Sequence, residues 1–399
     1  MRSLAATLTA CWVALGGCED ATPKDTSGGA AGAAETGPPA VRGAFAVMTT
    51  KDAPGGRILP GATWTGSEMV VFGGAVPLGP IQSTFRYQPG GRPEDEAWHP
   101  LSRSGAPGAR RNPFVLWTGS EVLVWGGEVL GIPQSGGARW DPTKDTWTRM
   151  NATHAPAPRL GWSGIWTGSE MIVWGGTQET RPVARGARWR AATDDWVETP
   201  LEGAPTPRAG HTAVWTGSEM VAWGGAELHS PDGSMSGGAL DPKAGIWRAL
   251  ALAGAPAART DHAATFCGGH MLIVGGLYAT LSRNDSARWD PVTDTWTTLP
   301  RKLAPSPRTG HTLVCAGATA IVWGGLELPR GQETDSGAIY DFAAEAWSST
   351  NRVGAPFRRR YHAAVFTGSE MLVWGGSQAN RPIIATEPGG RLTVEPFPP

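Results

Sequence analysis

A Gly-Gly pair returns seven times along the chain: Gly73/Gly74, Gly126/Gly127, Gly175/Gly176, Gly224/Gly225, Gly275/Gly276, Gly324/Gly325 and Gly375/Gly376. The first glycines of successive pairs stand 53, 49, 49, 51, 49 and 51 residues apart. A spacing that steady means one supersecondary unit repeated, not a string of unrelated domains. A length of 399 residues would otherwise allow two or three domains. The repeat overrides that prior, because units of this kind bury their cores only against one another.

Each unit opens on Ala-Pro-x-x-Arg, ending at Arg57, Arg110, Arg159, Arg208, Arg259, Arg308 and Arg359. Seven residues later stands Trp64, Trp117, Trp166, Trp215, Phe266, Cys315 or Phe366, at the end of a first strand. Thr-Gly-Ser-Glu then turns the chain in five units, with glycine supplying the positive φ of a tight hairpin. An apolar run such as Met171-Ile172-Val173-Trp174 makes a second strand buried on both faces and stops at Gly-Gly. A third strand carries Trp140-Asp141-Pro142, Trp289-Asp290-Pro291 or Tyr340-Asp341. A fourth follows with Trp98, Trp147, Trp196, Trp247, Trp296 or Trp347.

Composition agrees with this scheme. The 56 glycines and 34 prolines fall at fixed offsets and read as turn chemistry repeated in every unit. Strand positions account for 18 of the 20 tryptophans, leaving Trp12 and Trp162, so tryptophan richness reads as packing between sheets. A net charge of −1 offers no counterion-release drive toward nucleic acid, and no basic run suggests an anionic membrane surface.

Arg208-Ala-Gly-His211 and Arg308-Thr-Gly-His311, the Gly-Gly after the second strand, the aromatic-Asp-Pro and the later tryptophan together resemble kelch repeats. The resemblance covers about residue 43 to the C-terminus. It implies an all-β fold: a seven-bladed β-propeller of four-stranded antiparallel blades. Six blades with a degenerate terminal hairpin is the alternative. In the six full repeats the fourth-strand tryptophan lies 12 residues before the next repeat arginine. The same count back from Arg57 reaches Phe45, so Gly43–Thr50 reads as a fourth strand detached from its blade. It is expected to close the ring beside a short third strand near Ile383 to Thr386, in competition with the tail Arg391 to Phe397.

Residues 1–17 read as a secretory signal peptide: Arg2, then an apolar stretch from Leu4 to Leu15 too short to span a membrane as a permanent helix. Leu15-Gly16-Gly17-Cys18 resembles a bacterial lipobox, which implies lipidation of Cys18 and anchorage at the inner or outer membrane of the cell envelope, on its extracytoplasmic side. Residues 18–42 then form the lipidated cysteine and a disordered tether, and 43–399 the propeller. Cys11 leaves with the signal. Export permits a disulfide between Cys267 and Cys315, but Cys315 stands where other repeats place Trp or Phe and reads as a small buried apolar residue.

Positions that recur serve the scaffold, and positions that differ are free to bind. By that rule the repeat arginines and His211, His262, His311 and His362, one per blade, are structural. A metal needs donors ~2 Å from one centre, so no metal site and no cofactor are expected. The variable positions lie after each arginine (Arg111, Asn112, Asp261, Arg360, Tyr361) and in the loops between second and third strands (Glu227, His229, Asp232, Arg330, Glu333). The resemblance implies a monomeric module that binds a protein or glycan on this face and meets the membrane only through its anchor. No catalytic residue is expected, since no acid–base couple, Gly-x-Ser-x-Gly elbow or phosphate loop is present. A carbohydrate-active enzyme resembling the kelch sugar epimerases is the alternative; kelch copper oxidases need a crosslinked Cys–Tyr pair in a setting this chain lacks.

Overall fold

The computed structural model describes residues 41–378 and 388–394; the signal segment, Cys18 and the tether to residue 40 lie outside them. The first repeat folds into Gly61–Trp64, Met69–Phe72, Thr84–Gln88 and Ala97–Pro100, antiparallel and adjacent in chain order. The other six motifs do the same, giving seven blades numbered here by repeat. Among the described residues the one helical turn is Pro93–Asp95.

The local causes recur with the sequence. The Thr-Gly-Ser-Glu hairpin closes through the Thr65 N–H on the Glu68 carbonyl at 2.9 Å, and Gly66 takes φ 101°, which a side chain would strain. Second strands lie between two neighbours: all four residues of Met69–Phe72 are fully buried. Seven apolar clusters each join two adjacent blades, so burial is shared around the ring with no single core. Fourth-strand tryptophans add polar ties: Trp147, Trp196 and Trp296 each donate from Nε1 to a carbonyl of the connection leaving the preceding blade, at 2.9 Å.

Blade 7 is built from both ends of the chain. Ala363–Phe366 and Glu370–Trp374 are followed by Gly390–Thr393 as third strand, and Ala44–Val47 pairs outside it with Phe45 opposite Leu392. Phe45 thus holds the fourth-strand aromatic position, with its ring 5.8 Å from Trp323 of blade 6. This corrects two expectations. The third strand runs through Gly390–Thr393, where the competing tail was placed; the expected 383–386 lies outside the described residues. The tail therefore does not supply the fourth strand. The boundary of the propeller also shifts: Val41–Arg42, expected as the end of the tether, adds a parallel fifth strand to the edge of blade 6, beside Ala346–Thr350. Arg42 is buried there, 3.9 Å from the Asp341 carboxylate.

Cys315 also departs from its reading. It is half-buried and bonded to Cys267, joining the ends of the first strands of blades 5 and 6. The fold brings the two α-carbons to 5.4 Å, within disulfide reach.

Candidate functional site

The connections entering each blade and those between its second and third strands share one face. The residue after each repeat arginine pairs with the residue after Gly-Gly, as in Ile58 with Ala75, Arg111 with Glu128, Thr260 with Leu277 and Arg360 with Ser377. Each arginine clamps this pairing from below. Its Nη1 donates to the carbonyl of the first glycine of its own blade, at 2.8 to 3.2 Å in all seven. Nε reaches back to the carbonyl two residues earlier. Desolvation lowers the guanidinium pKa of Arg57 and Arg308 to about 10. These side chains are occupied in holding loops.

The second glycine works between blades. Its N–H donates to the next repeat arginine's carbonyl, as from Gly74 to Arg110 at 2.9 Å and from Gly376 round to Arg57 at 2.8 Å. Nearer the axis lies an inner ring. The second residue after each arginine (Leu59, Asn112, Gly161, Gly210, Asp261, Gly310, Tyr361) has φ between 51° and 67°. Several are joined head to tail: Asn112 N–H to Leu59 carbonyl at 2.8 Å, Leu59 to Tyr361 at 2.9 Å, Tyr361 to Gly310 at 2.9 Å, Gly210 to Gly161 at 2.7 Å. The glycine of the Arg-x-Gly-His motif is therefore a ring residue in the left-handed region, where its lack of a β-carbon removes strain.

The third residue after the arginine plugs the gap to the preceding blade. His211, His262 and His362 stand edge-on to Trp174, Trp223 and Trp323 at 5.1, 5.2 and 5.1 Å. Their Nε2 atoms meet Ser163, Thr212 and Thr312 hydroxyls at 2.7, 2.7 and 2.9 Å. A β-carbon on Gly175 would come within 2.5 Å of the His211 ring, so the first glycine is small to seat this plug. Among the described residues no group of His, Cys, Asp or Glu could hold a metal ion.

The variable residues divide into two sets. Asp261 and Tyr361 sit in the inner ring, with Arg360 stacked over the Tyr361 ring at 5.2 Å and ion-paired to buried Glu333 at 3.3 Å. Water reaches Asp261, yet crowding in the ring desolvates it and raises its carboxyl pKa, against a 3.0 Å bond from Thr260. Burial likewise raises Tyr361, opposed by Arg360 and reinforced by Asp261 and Glu333. This patch offers a cation, a phenol and a carboxylate within one neighbourhood. Across the ring, Asn112 is exposed and Arg111 pairs with Glu128 at 3.0 Å. Glu227 is drawn into the clamp, 2.9 Å from Arg208. His229, Asp232 and Arg330 stand apart on exposed loops, Arg330 with Glu327 at 3.7 Å.

Two features escaped the sequence reading. The tips of the second-to-third-strand hairpins are apolar and exposed: Leu78 fully, Leu130 at 77%, and also Ile132, Leu228 and Leu281. Scattered leucines in loops carry no signal until the fold gathers them on one face. A cavity of about 270 Å³ lies on the axial side of blades 2 to 5, reached by Asn112, Gly127, Gly161, Trp162, His211 and Ala264. Its one legible trace was Trp162, the tryptophan outside the strand pattern.

A family model described as the KLHDC2/KLHL20/DRC7 Kelch-repeats domain matches residues 113–317. No curated protein matches the chain.

Proposed function

Since the chain belongs to the Kelch-repeats domain family, we propose that it is a binding and scaffolding module whose partner is a protein docking on the loop face. The observation that carries this is the crown of exposed apolar hairpin tips around the polar patch of Asp261, Arg360 and Tyr361. Exposed apolar groups gathered on one face, beside arginine and tyrosine, have the make-up of a protein contact surface. The blades beneath are alike and occupied with closing the ring.

The propeller stands, in this reading, in the bacterial cell envelope on the extracytoplasmic side, held through acyl chains on Cys18 with residues 19–40 as tether. The Leu15-Gly16-Gly17-Cys18 order supports the anchor, and the Cys267–Cys315 disulfide supports an oxidising compartment. Changing Cys18→Ser should move the protein to the soluble fraction; continued membrane association contradicts the anchor. Changing Leu78, Leu130, Leu228 and Leu281 together to serine should abolish co-purification of the partner with no loss of melting temperature. Retained co-purification removes the crown from the account, and transfer of binding to an isolated glycan replaces the protein partner with a carbohydrate one.

A further inference from the structure

The junction between blades 2 and 3 departs from the other six. Elsewhere the first strands of neighbouring blades run side by side within 8 Å, Cα to Cα, whereas Phe114–Trp117 and Ser163–Trp166 scarcely meet. Two backbone bonds are missing at the same place. The Gly127 N–H does not reach the Arg159 carbonyl, although the second glycine makes this bond at each other junction. The Gly161 N–H does not reach the Asn112 carbonyl, so the inner ring is broken here; it is also interrupted between Gly310 and Asp261, but there the Thr309 hydroxyl takes the Asp261 carbonyl and the second-glycine bond is intact. Among the described residues none of these four groups has another protein partner.

Trp162 accounts for the gap. The third position after the arginine is proline in blades 1 and 2 and histidine in blades 4 to 7. In blade 3 the larger indole fills it, 5.6 Å from the Trp125 ring and 5.8 Å from Phe114. It wedges the axial ends apart, while Trp125, Met171, Val173, Trp189 and Trp196 keep the outer parts of the two blades packed. The gap opens into the 270 Å³ cavity, which extends past it to Thr212, Ala213 and Ala264 of blades 4 and 5, and Asn112, Gly127, Arg159 and Gly161 all line it.

The order of the four free groups specifies a ligand. Blade 2 presents a carbonyl (Asn112) and an N–H (Gly127); blade 3 presents an N–H (Gly161) and a carbonyl (Arg159). An anion would leave both carbonyls unpaired, and an ammonium both N–H groups. In an extended peptide the N–H and C=O of one residue point to one side, and the flanking carbonyl and N–H point to the other. One such residue would donate to Asn112 and accept from Gly127. The carbonyl before it would accept from Gly161, and the N–H after it would donate to Arg159. Two consecutive peptide groups satisfy all four.

We propose that the seam between blades 2 and 3 is a slot for an extended, small-residue peptide segment held by main-chain pairing, a form of strand addition between blades. The inference rests on the reading of the loop face as a protein-contact surface and gives that surface a backbone anchor. The full chain is labelled with 5-fluorotryptophan, and the Trp125 line is followed during titration with acetyl-Gly-Ala-Gly-Ala-amide. A saturable shift is expected, weakened roughly tenfold or more when the peptide is N-methylated, the scale of a lost hydrogen bond. The variant Trp162→His, which installs the residue of blades 4 to 7, should remain folded and lose the shift. Trp162→Phe, keeping an aromatic wedge, should retain it. No shift, equal shifts with both peptides, or a response to N-acetylglucosamine alone overturns the slot. That failure would leave capture by the hairpin tips intact, whereas failure of the tips with peptide binding retained would sink the loop-crown reading instead.

Discussion

His211 of blade 4 sits edge-on to Trp174 of blade 3, 5.1 Å between ring centres, with its Nε2 2.7 Å from the Ser163 hydroxyl. The contact is repeated by His262 on Trp223 and His362 on Trp323, so histidines that resemble ligands are seals between blades.

Those seals predict acid sensitivity. Burial, reinforced by the adjacent repeat arginine, lowers His211 and His311 to about 3 and holds His262 and His362 well below their ordinary value. The unfolded chain takes up these protons below pH ~6.5. In the folded state His211 and His311 take theirs up only near 3, and His262 and His362 only well below their ordinary value, so the unfolded state binds more protons in between and stability falls as pH falls. Each histidine contributes up to about 1.4 kcal/mol per pH unit, and none above its unfolded pKa. Urea midpoints measured at falling pH should drop below pH ~6.5, and His311→Gln should flatten the slope.

The arginine clamp predicts a structural penalty. Arg308 is buried and donates to the carbonyls of Ser306, Gly324 and Ser336 at 3.0, 2.9 and 2.9 Å. Arg308→Ala strands these acceptors and should cost about 3 kcal/mol or more, read as a loss of urea midpoint. Arg308→Lys should not restore it, because an ammonium cannot reproduce the planar fork.

Closure by the N-terminal strand predicts that a short deletion disrupts a distant blade. Removing residues 41–47 takes away the partner of Gly390–Thr393 and the parallel edge on Ala346–Thr350. Blade 7 is left with a bare edge, an invitation to self-association. Light scattering and analytical ultracentrifugation should report a higher association state than that of the intact chain, while Phe45→Ala alone should lower stability by about 2 to 3 kcal/mol and leave the association state unchanged.

The Cys267–Cys315 bond predicts a redox-dependent melting temperature. The cysteines are 48 residues apart in sequence, and a cross-link of that span stabilises by about 2 to 4 kcal/mol. Reductant should lower the melting temperature of the wild type and leave a Cys267→Ser, Cys315→Ala variant unchanged.

Much of this architecture was legible because a period needs no three-dimensional information. The Gly-Gly spacing carried the blade number, and the count from Trp to Arg carried Phe45 to its place in blade 7. What sequence reading missed depends on closure. Cys267 and Cys315 meet only because the ends of neighbouring first strands converge. The third strand of blade 7 was misplaced because its long connection hides the register. Variation between repeats singled out Asp261, Arg360 and Tyr361, which the fold sets near one another on the loop face. It did not separate Glu227 and Glu333, which serve the clamp and a buried ion pair, from the freely exposed His229 and Asp232. Trp162 stood out as an exception, and its consequence for the blade 2–3 seam needed the ring of backbone bonds that it interrupts.

The central claim is that contact belongs to the loop face and scaffold to the rest. Site-specific photocrosslinking in intact cells that express the protein tests it most directly, with the crosslinker placed at Leu130 or Leu228 on the hairpin tips and at Val292, which is 91% exposed on the turn between third and fourth strands of blade 5. The account predicts a discrete adduct from Leu130 and Leu228 and none from Val292. An adduct from Val292 with silent hairpin tips would contradict it.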